Sequence, residues 1–342
     1  MNARADIRTW VRPPLLALLL LAGGSCLHAQ DAVFSEPASA ALSLNPAMAG
    51  VLHDVDAQLV HRTSRIPIGK PFRTVYAGVD GCLHRGKEQG AVEAGRLAGG
   101  IHFRSDNSQA LRSTEFAADL AYHVPLTQNS SLGTGLSLGL LQTIQSDADG
   151  QWGSQYNGLR YDANLPSYET LDATRHTGMD MGGGMLYALR WNEGREERHS
   201  YFITGLSAAH LSRPQLFGNG PQDRIPVRWS LFASSRILLT GAMNWISPEA
   251  YVFKQGPRQL LIAGGSFGHV FGSPVSFQNA AVQVEVELGA AYRSDDAILA
   301  KLRVGWSAFS VTMVYDIPSG GPDPANSATE IALGYALNKV RK

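Results

Sequence analysis

Strict period-two alternation recurs along this chain and constrains its fold more than any other feature. Val282, Val284, Val286, Leu288, Ala290 and Tyr292 alternate with Gln283, Glu285, Glu287, Gly289, Ala291 and Arg293. Phe116, Ala118, Leu120, Tyr122 and Val124 alternate with Glu115, Ala117, Asp119, Ala121 and His123. Leu132, Leu136, Leu138 and Leu140 face the parity of Gly133, Gly135, Ser137 and Gly139. Phe309, Val311, Met313 and Tyr315, then Ile331, Leu333, Tyr335 and Leu337, repeat the pattern. Successive strand side chains point to opposite faces, so each run has one apolar face and one polar or small face.

Such strands build either a soluble sandwich or a transmembrane barrel. Charged residues in mid-strand (Asp119, Glu285, Glu287) suit a wet lumen better than a dry core. The inward set is rich in Gly and Ala, and the chain has 36 glycines. Tyr and Trp recur near expected strand ends (Tyr76, Tyr122, Tyr187, Trp191, Tyr201, Trp229, Trp245, Tyr292, Trp306, Tyr315, Tyr335), as membrane-interface girdles require. The hydrophobic fraction of 44% is low for a helical membrane protein and ordinary for a barrel, where only alternate strand residues meet lipid. The expected fold is an all-β, antiparallel, transmembrane outer-membrane β-barrel.

The N-terminus carries an export signal. Arg4, Arg8 and Arg12 form a positive region, Leu15–Leu21 an apolar one, and Leu27-His28-Ala29 ends in the small residue that signal peptidase requires. Residues 1–29 are therefore expected to be a cleaved signal peptide. Cys26 raises lipoprotein processing, but Gly23 stands where a lipobox has Leu. Once Cys26 is removed, Cys82 has no intramolecular partner and is expected to be structural.

About fourteen strands are expected: 54–62, 72–82, 97–104, 113–123, 131–144, 176–191, 201–211, 227–236, 242–252, 258–267, 281–292, 297–304, 309–315 and 329–337. An even number suits closure, in which every backbone group finds a partner. Residues 54–342 then form the barrel, and 30–53 form a plug-like or periplasmic segment. With both barrel ends periplasmic, the longest connection, about 145–175, is external.

The segment after the signal reads Gln30-Asp31-Ala32-Val33-Phe34-Ser35, then Leu42-Ser43-Leu44-Asn45-Pro46-Ala47-Met48-Ala49-Gly50. It resembles the opening of the PorP/SprF family of type IX secretion system membrane proteins. Gly69-Lys70-Pro71-Phe72, Trp152-Gly153-Ser154-Gln155-Tyr156 with Asn164-Leu165-Pro166, and His210-Leu211-Ser212-Arg213-Pro214 resemble later family motifs in order. So do Ile246-Ser247-Pro248, Gly289–Tyr292 with Asp296-Ala297-Ile298, Tyr315-Asp316 and Glu330–Tyr335. Glu36 and Ser212 depart from the common glutamine and asparagine. The resemblance implies an outer-membrane barrel in a bacterium of the Bacteroidota type, working in gliding or adhesin export. The implied partners are type IX translocon components and secreted proteins with C-terminal sorting domains, which it helps export or holds at the surface. It implies no catalytic residues.

Several residues stand out as candidates. Asn45, Pro46 and Gly50 lie before the first strand, where 30–50 could plug the lumen, dock a periplasmic partner or simply lead into the barrel. Trp152, Tyr156, Tyr161 and Tyr168, among acidic residues of the long loop, suit a protein-binding surface or a packed cover over the mouth. Asp147-Ala148-Asp149-Gly150 resembles the start of a calcium loop but lacks the distal Glu. Asp80, Asp119, Glu285 and Glu287 are expected in the lumen, pairing with Arg62, Arg104, Arg112 or Arg303. No zinc, P-loop, GxGxxG or G-x-S-x-G arrangement occurs, so no cofactor and no metal are expected. Equal numbers of acidic and basic residues, 29 each, give no reason to expect nucleic acid; the expected non-protein partner is outer-membrane lipid. Two rival functions remain open. One is a porin or small-solute transporter. The other is a barrel lipid hydrolase, for which His102 with Ser105 or Ser108 is a loose candidate.

Overall fold

The computed structural model describes residues 31–65, 70–86, 95–108, 110–145, 151–168, 174–191, 200–217, 223–239, 243–272, 283–294, 296–319 and 327–337. The expected signal peptide with Cys26, the calcium-like segment at Asp147–Gly150, and Val282 lie outside these residues. Fourteen strands follow in order: β1 Val55–Ser64, β2 Phe72–Arg85, β3 Arg96–Ser108, β4 Leu111–Pro125, β5 Ser130–Gln145, β6 Thr174–Trp191 and β7 Ser200–Ala209. Then come β8 Arg228–Leu238, β9 Asn244–Gln255, β10 Arg258–Phe271, β11 Val284–Arg293, β12 Ala297–Trp306, β13 Phe309–Pro318 and β14 Ala328–Leu337. Each strand pairs antiparallel with its sequence neighbours. The cylinder closes through β1 and β14, from Val55 opposite Leu337 to Ser64 opposite Ala328. Closure leaves no strand edge, the condition for crossing hydrocarbon with strands.

The burial pattern is inverted relative to a soluble protein. Leu136 is 69% exposed and Leu288 61%, while Asp316 and Glu330 are each 1% exposed. On β4, Phe116, Leu120, Tyr122 and Val124 point out, and Ala117, Asp119, Ala121 and His123 point in. An outward wall of large apolar side chains around a polar interior is what a lipid solvent demands.

One rim of the barrel holds Val55 and Leu337, with the short connections 126–129, 239–243 and 307–308. We call it the chain-end rim. The opposite, loop rim carries the longest connections, 146–173 and 210–227.

The strands depart from expectation mainly in length. β3 runs to Ser108 and β2 to Arg85, beyond the apolar alternation. Polar residues such as Ser105, Asp106 and Asn107 break the apolar pattern without breaking the ladder, because backbone pairing continues past the hydrocarbon. In β2 the register to β3 shifts between Cys82 and His84, and the Cys82 amide donates to the Asp54 carbonyl. The aromatic expectation needs correction at three positions. Trp229, Tyr292, Tyr315 and Trp306 are exposed on the outer wall, but Tyr76 and Trp245 are each 1% exposed and face the interior, and Tyr201 points inward to pack against the interior apolar cluster.

Candidate functional site

Residues 31–53 lie inside the barrel. A 3-10 turn at Pro37–Ala40, one helical turn at Ala41–Leu44 and a second 3-10 turn at Pro46–Met48 fold the segment compactly. Pro37 and Pro46 each stand at the start of a turn, where a missing N–H costs nothing. Such short turns have little stability of their own, so the shape of the segment is set by what the wall offers it.

The inner half, Leu42 to Val51, is held by steric fit and backbone hydrogen bonds. Asn45 is central. Its Oδ1 accepts from the Ala47 amide at 2.9 Å, and its Nδ2 donates to the carbonyls of Met185 at 3.1 Å and Leu206 at 3.2 Å. One side chain thus caps the turn and ties it to β6 and β7. Glycines opposite make the room. A Cβ at Gly135 would sit 2.3 Å from the Ala47 nitrogen, and one at Gly184 would sit 2.2 Å from Asn45 Oδ1. Real atoms do not approach so closely, so the small inward residues of β5 and β6 are the negative of the segment's shape. Ser207 Oγ donates to the Leu44 carbonyl at 2.6 Å, and His123 Nε2 lies 2.8 Å from the Ala49 carbonyl. Gly50 has φ +61°, and its amide donates to Asp80 Oδ2 at 2.7 Å. At the chain-end rim, Arg96 and Arg190 both donate to the Val51 carbonyl.

The outer half, Asp31 to Glu36, is held by buried charge toward the loop rim. Asp31 Oδ2 meets Arg228 Nη1 at 2.6 Å, His210 Nε2 at 2.8 Å and Arg104 Nη1 at 3.3 Å. His210 Nδ1 lies 2.6 Å from Asp180, so both ring nitrogens face carboxylates, an arrangement only the imidazolium satisfies. Arg104 continues to Glu115 at 2.8 Å, and His102 pairs with Asp119 at 2.7 Å. Burial opposes the charge on Asp31, but Arg104, His210 and Arg228 outweigh it and hold its carboxyl well below the ordinary range.

A second cluster holds Ser35 and Glu36. Their amides donate to the two oxygens of Glu330, at 2.7 and 2.9 Å, and Ser35 Oγ donates to Asp316 at 2.7 Å. Arg62 and Arg293 pair with Asp316 at 3.1 and 2.8 Å, and Lys301 bridges Glu36 and Glu249. Here four carboxylates share three cations. Burial pushes Glu36 up to about 7; Lys301 opposes this, while Glu249 and Glu330 add to it.

The candidate residues fall as follows. Asn45, Pro46 and Gly50 line the contact between segment and wall. Asp119 is buried against His102 instead of meeting water. Glu285 and Glu287 lie near the chain-end rim beside Arg236, at 3.0 and 3.9 Å, with Arg303 4.0 Å from Glu287. Arg62 and Arg104 are lumenal but take other partners than those expected, and Arg112 faces outward and pairs with none of the lumenal acids. Asp80 accepts from Gly50. His102 and Ser105 point to opposite faces of β3, and Ser108 Oγ donates to the Leu111 carbonyl, so the hydrolase arrangement does not form. In the long loop, Tyr156 and Tyr161 pair across a short bridge, Trp152 and Tyr161 are half-buried, and Tyr156 and Tyr168 are exposed. Among the described residues no group of His, Cys, Asp and Glu has the geometry of a metal site.

Sequence reasoning missed Lys301, Arg228, Arg236 and Glu249 as parts of these clusters. Each sits singly in an alternating strand and acquires its partners only on closure. Asp31, His210, Asp316 and Glu330 had a signal, for each lies within a quoted motif.

A closed antiparallel cylinder with an apolar outer wall and a lumen filled by its own N-terminal segment is an outer-membrane barrel of the plugged class. Residues 27–335 match the family model described as type IX secretion system membrane protein PorP/SprF, and the chain belongs to that family. No curated protein matches it. Among solved structures it is similar to the toluene transporter TbuX of Ralstonia pickettii, at 9% identity over 87% of this chain and 93% of that one, with a TM-score of 0.47. It is also similar to BamA of Haemophilus ducreyi lacking POTRA domains 1–3, at 10% identity over 83% of this chain and 70% of that one, with a TM-score of 0.38. These likenesses concern barrel architecture alone.

Proposed function

We propose that this barrel is a non-conducting, protein-binding component of the type IX secretion machine. It contacts translocon components and holds or passes on secreted proteins with C-terminal sorting domains at the cell surface. The observation that carries this reading is the filled lumen. The segment is tied by hydrogen bonds or ion pairs to β1–β4, β6–β9 and β11–β14. Within β5, Gly135 fits against Ala47. A lumen occupied in this way favours the protein-binding reading over the solute porin. It leaves the loop rim, with Tyr156 and Tyr168 exposed, as the surface through which partners are engaged. The loop rim is external because long connections of outer-membrane barrels face outward.

Two measurements test the proposal. Purified wild-type protein in planar bilayers is expected to stay closed. Affinity purification from native outer membranes is expected to recover secreted proteins with sorting domains, and a Y156A/Y168A variant is expected to recover less. A steady open channel with no co-purifying secreted protein would replace this reading with the porin.

A further inference from the structure

The outer wall carries an arginine row that none of the functions above uses. Arg73 on β2, Arg112 on β4 and Arg175 on β6 are each the outermost outward-facing residue of their strand at the loop rim. Cross-strand pairing joins them in one line: Arg73 lies opposite Asn107, Asn107 opposite Arg112, Arg112 opposite Ile144, and Ile144 opposite Arg175. Neighbouring arginines are two strands apart, about 10 Å along the sheet. All three are exposed, and none has a side-chain partner among the described residues. The next outward positions toward the membrane are polar or small apolar (Val75, Ser105, Thr114, Gln142, Thr177), and below them come Phe103, Phe116, Leu140 and Met179 of the apolar band. The outward-facing positions of β2–β6 include no carboxylate.

The opposite side differs. There the outermost outward residues are Tyr292 on β11, Ile298 on β12 and Ile317 on β13, all apolar or aromatic and all exposed. Strands β2–β6 run 13–18 residues, against 10 for each of β11–β14. The longer strands carry their arginines past the hydrocarbon.

We propose that Arg73, Arg112 and Arg175, with Asn107 between the first two, form a binding site for the phosphate groups of a phosphorylated glycolipid in the outer leaflet. Guanidinium forks bind phosphate oxygens in pairs, and a fork beside an apolar wall lets the lipid's acyl chains lie on Phe103, Phe116 and Leu140 while its headgroup is held. A soluble anion gains nothing from that wall, which is why the site is assigned to a lipid.

The test is native mass spectrometry of the purified full barrel in detergent, with lipid A, phosphate-free lipid A and inorganic phosphate as separate probes. Lipid A is expected to remain bound, and its phosphate-free form to bind ~10-fold more weakly. The R73Q/R112Q/R175Q variant is expected to lose lipid A binding by a similar factor. K254Q, at the rim of β9, is expected to change it less than ~2-fold. Heat-modifiable migration verifies that each variant is folded. Equal binding of the two lipids to wild-type protein overturns the proposal and needs no variant. So does displacement of lipid A by inorganic phosphate at low millimolar concentration, which would make this a free-anion site.

Discussion

The two halves of the N-terminal segment are held by different physics inside the same lumen. From Leu42 to Val51 the wall fits by shape: glycines recede, Asn45 bridges two strands, and carbonyls find donors. From Asp31 to Glu36 the wall fits by charge, with carboxylates and cations packed out of water. Steric fit is insensitive to pH and salt. Buried charge is costly to assemble and still more costly to leave unbalanced. The difference teaches that such a plug can be fixed at its root and conditional at its outer end. It also explains why the balanced cluster at Asp31 keeps that carboxyl ionised, while the acid-rich cluster at Glu36 pushes protons on.

The sharpest way to break this comparison is to fill a glycine. In G135V the new side chain collides with the backbone of Pro46 and Ala47. Neither strand nor turn can yield cheaply, so the inner half is expected to be expelled while the barrel still closes. The expected readout is a steady conductance in planar bilayers where wild type has none. A closed, fully stable G135V protein would mean that shape does not hold the inner half. Next comes D31N, which strips the shared counter-charge from Arg104, Arg228 and His210. Breaking a buried pair from one side costs ~3 kcal/mol. A lower melting temperature and faster hydrogen exchange at residues 31–36, with 45–51 unchanged, are expected.

Much of this architecture was legible in the sequence, for a physical reason. Alternation at period two reports directly which side chains meet lipid, so fourteen strands and the parity of Asp119, Glu285 and Glu287 could be read one strand at a time. The plug contacts were legible only in part. Asn45, Pro46 and Gly50 mark themselves, because turn-capping and positive-φ residues have local causes. Glu249 and Lys301 do not, since the residues that make them a cluster lie on β9, β12 and the plug. Asp119, expected to meet lumenal water, meets a buried partner for the same reason. Alternation shows that Asp119 points inward, but it cannot show that His102 and a folded plug are waiting there. Arg112 was misplaced because its strand begins at Leu111, two residues before the expected start, which puts Arg112 in the ladder on the outward parity of Phe116.

A smaller effect is expected from N45A. It removes one accepted and two donated hydrogen bonds and leaves two strand carbonyls and one amide to find water, at a cost of ~2 kcal/mol. Exchange is expected to rise at 45–51 and not at 31–36, the mirror image of D31N. If both variants loosen the whole segment equally, the halves are one cooperative unit and the distinction drawn above fails.

The smallest effect concerns pH and bears on the outer half alone. The folded carboxyl of Glu36 titrates near 7, above its ordinary 4.5, so the folded state holds this proton more tightly than the unfolded chain does. Its contribution to stability is therefore fully present below about 4.5 and drains away as pH rises through about 7. Asp31 behaves oppositely: its contribution is present above the ordinary Asp range and is lost only in strong acid. Between pH 5 and pH 8 the balance at Asp31 stays fixed while the Glu36–Lys301–Glu249 group gains a negative charge it cannot neutralise. Hydrogen-exchange protection at 34–40, corrected for intrinsic rates, is expected to fall across that interval, and protection at 45–47, which rests on strand carbonyls and the fit to Gly135, to stay level. In E36Q the fall should vanish, because the amide keeps the volume and loses the titration. A pH dependence that survives in E36Q would move its origin to another carboxylate of the cluster. One that spreads to residues 45–47 would show that the root of the plug follows its tip.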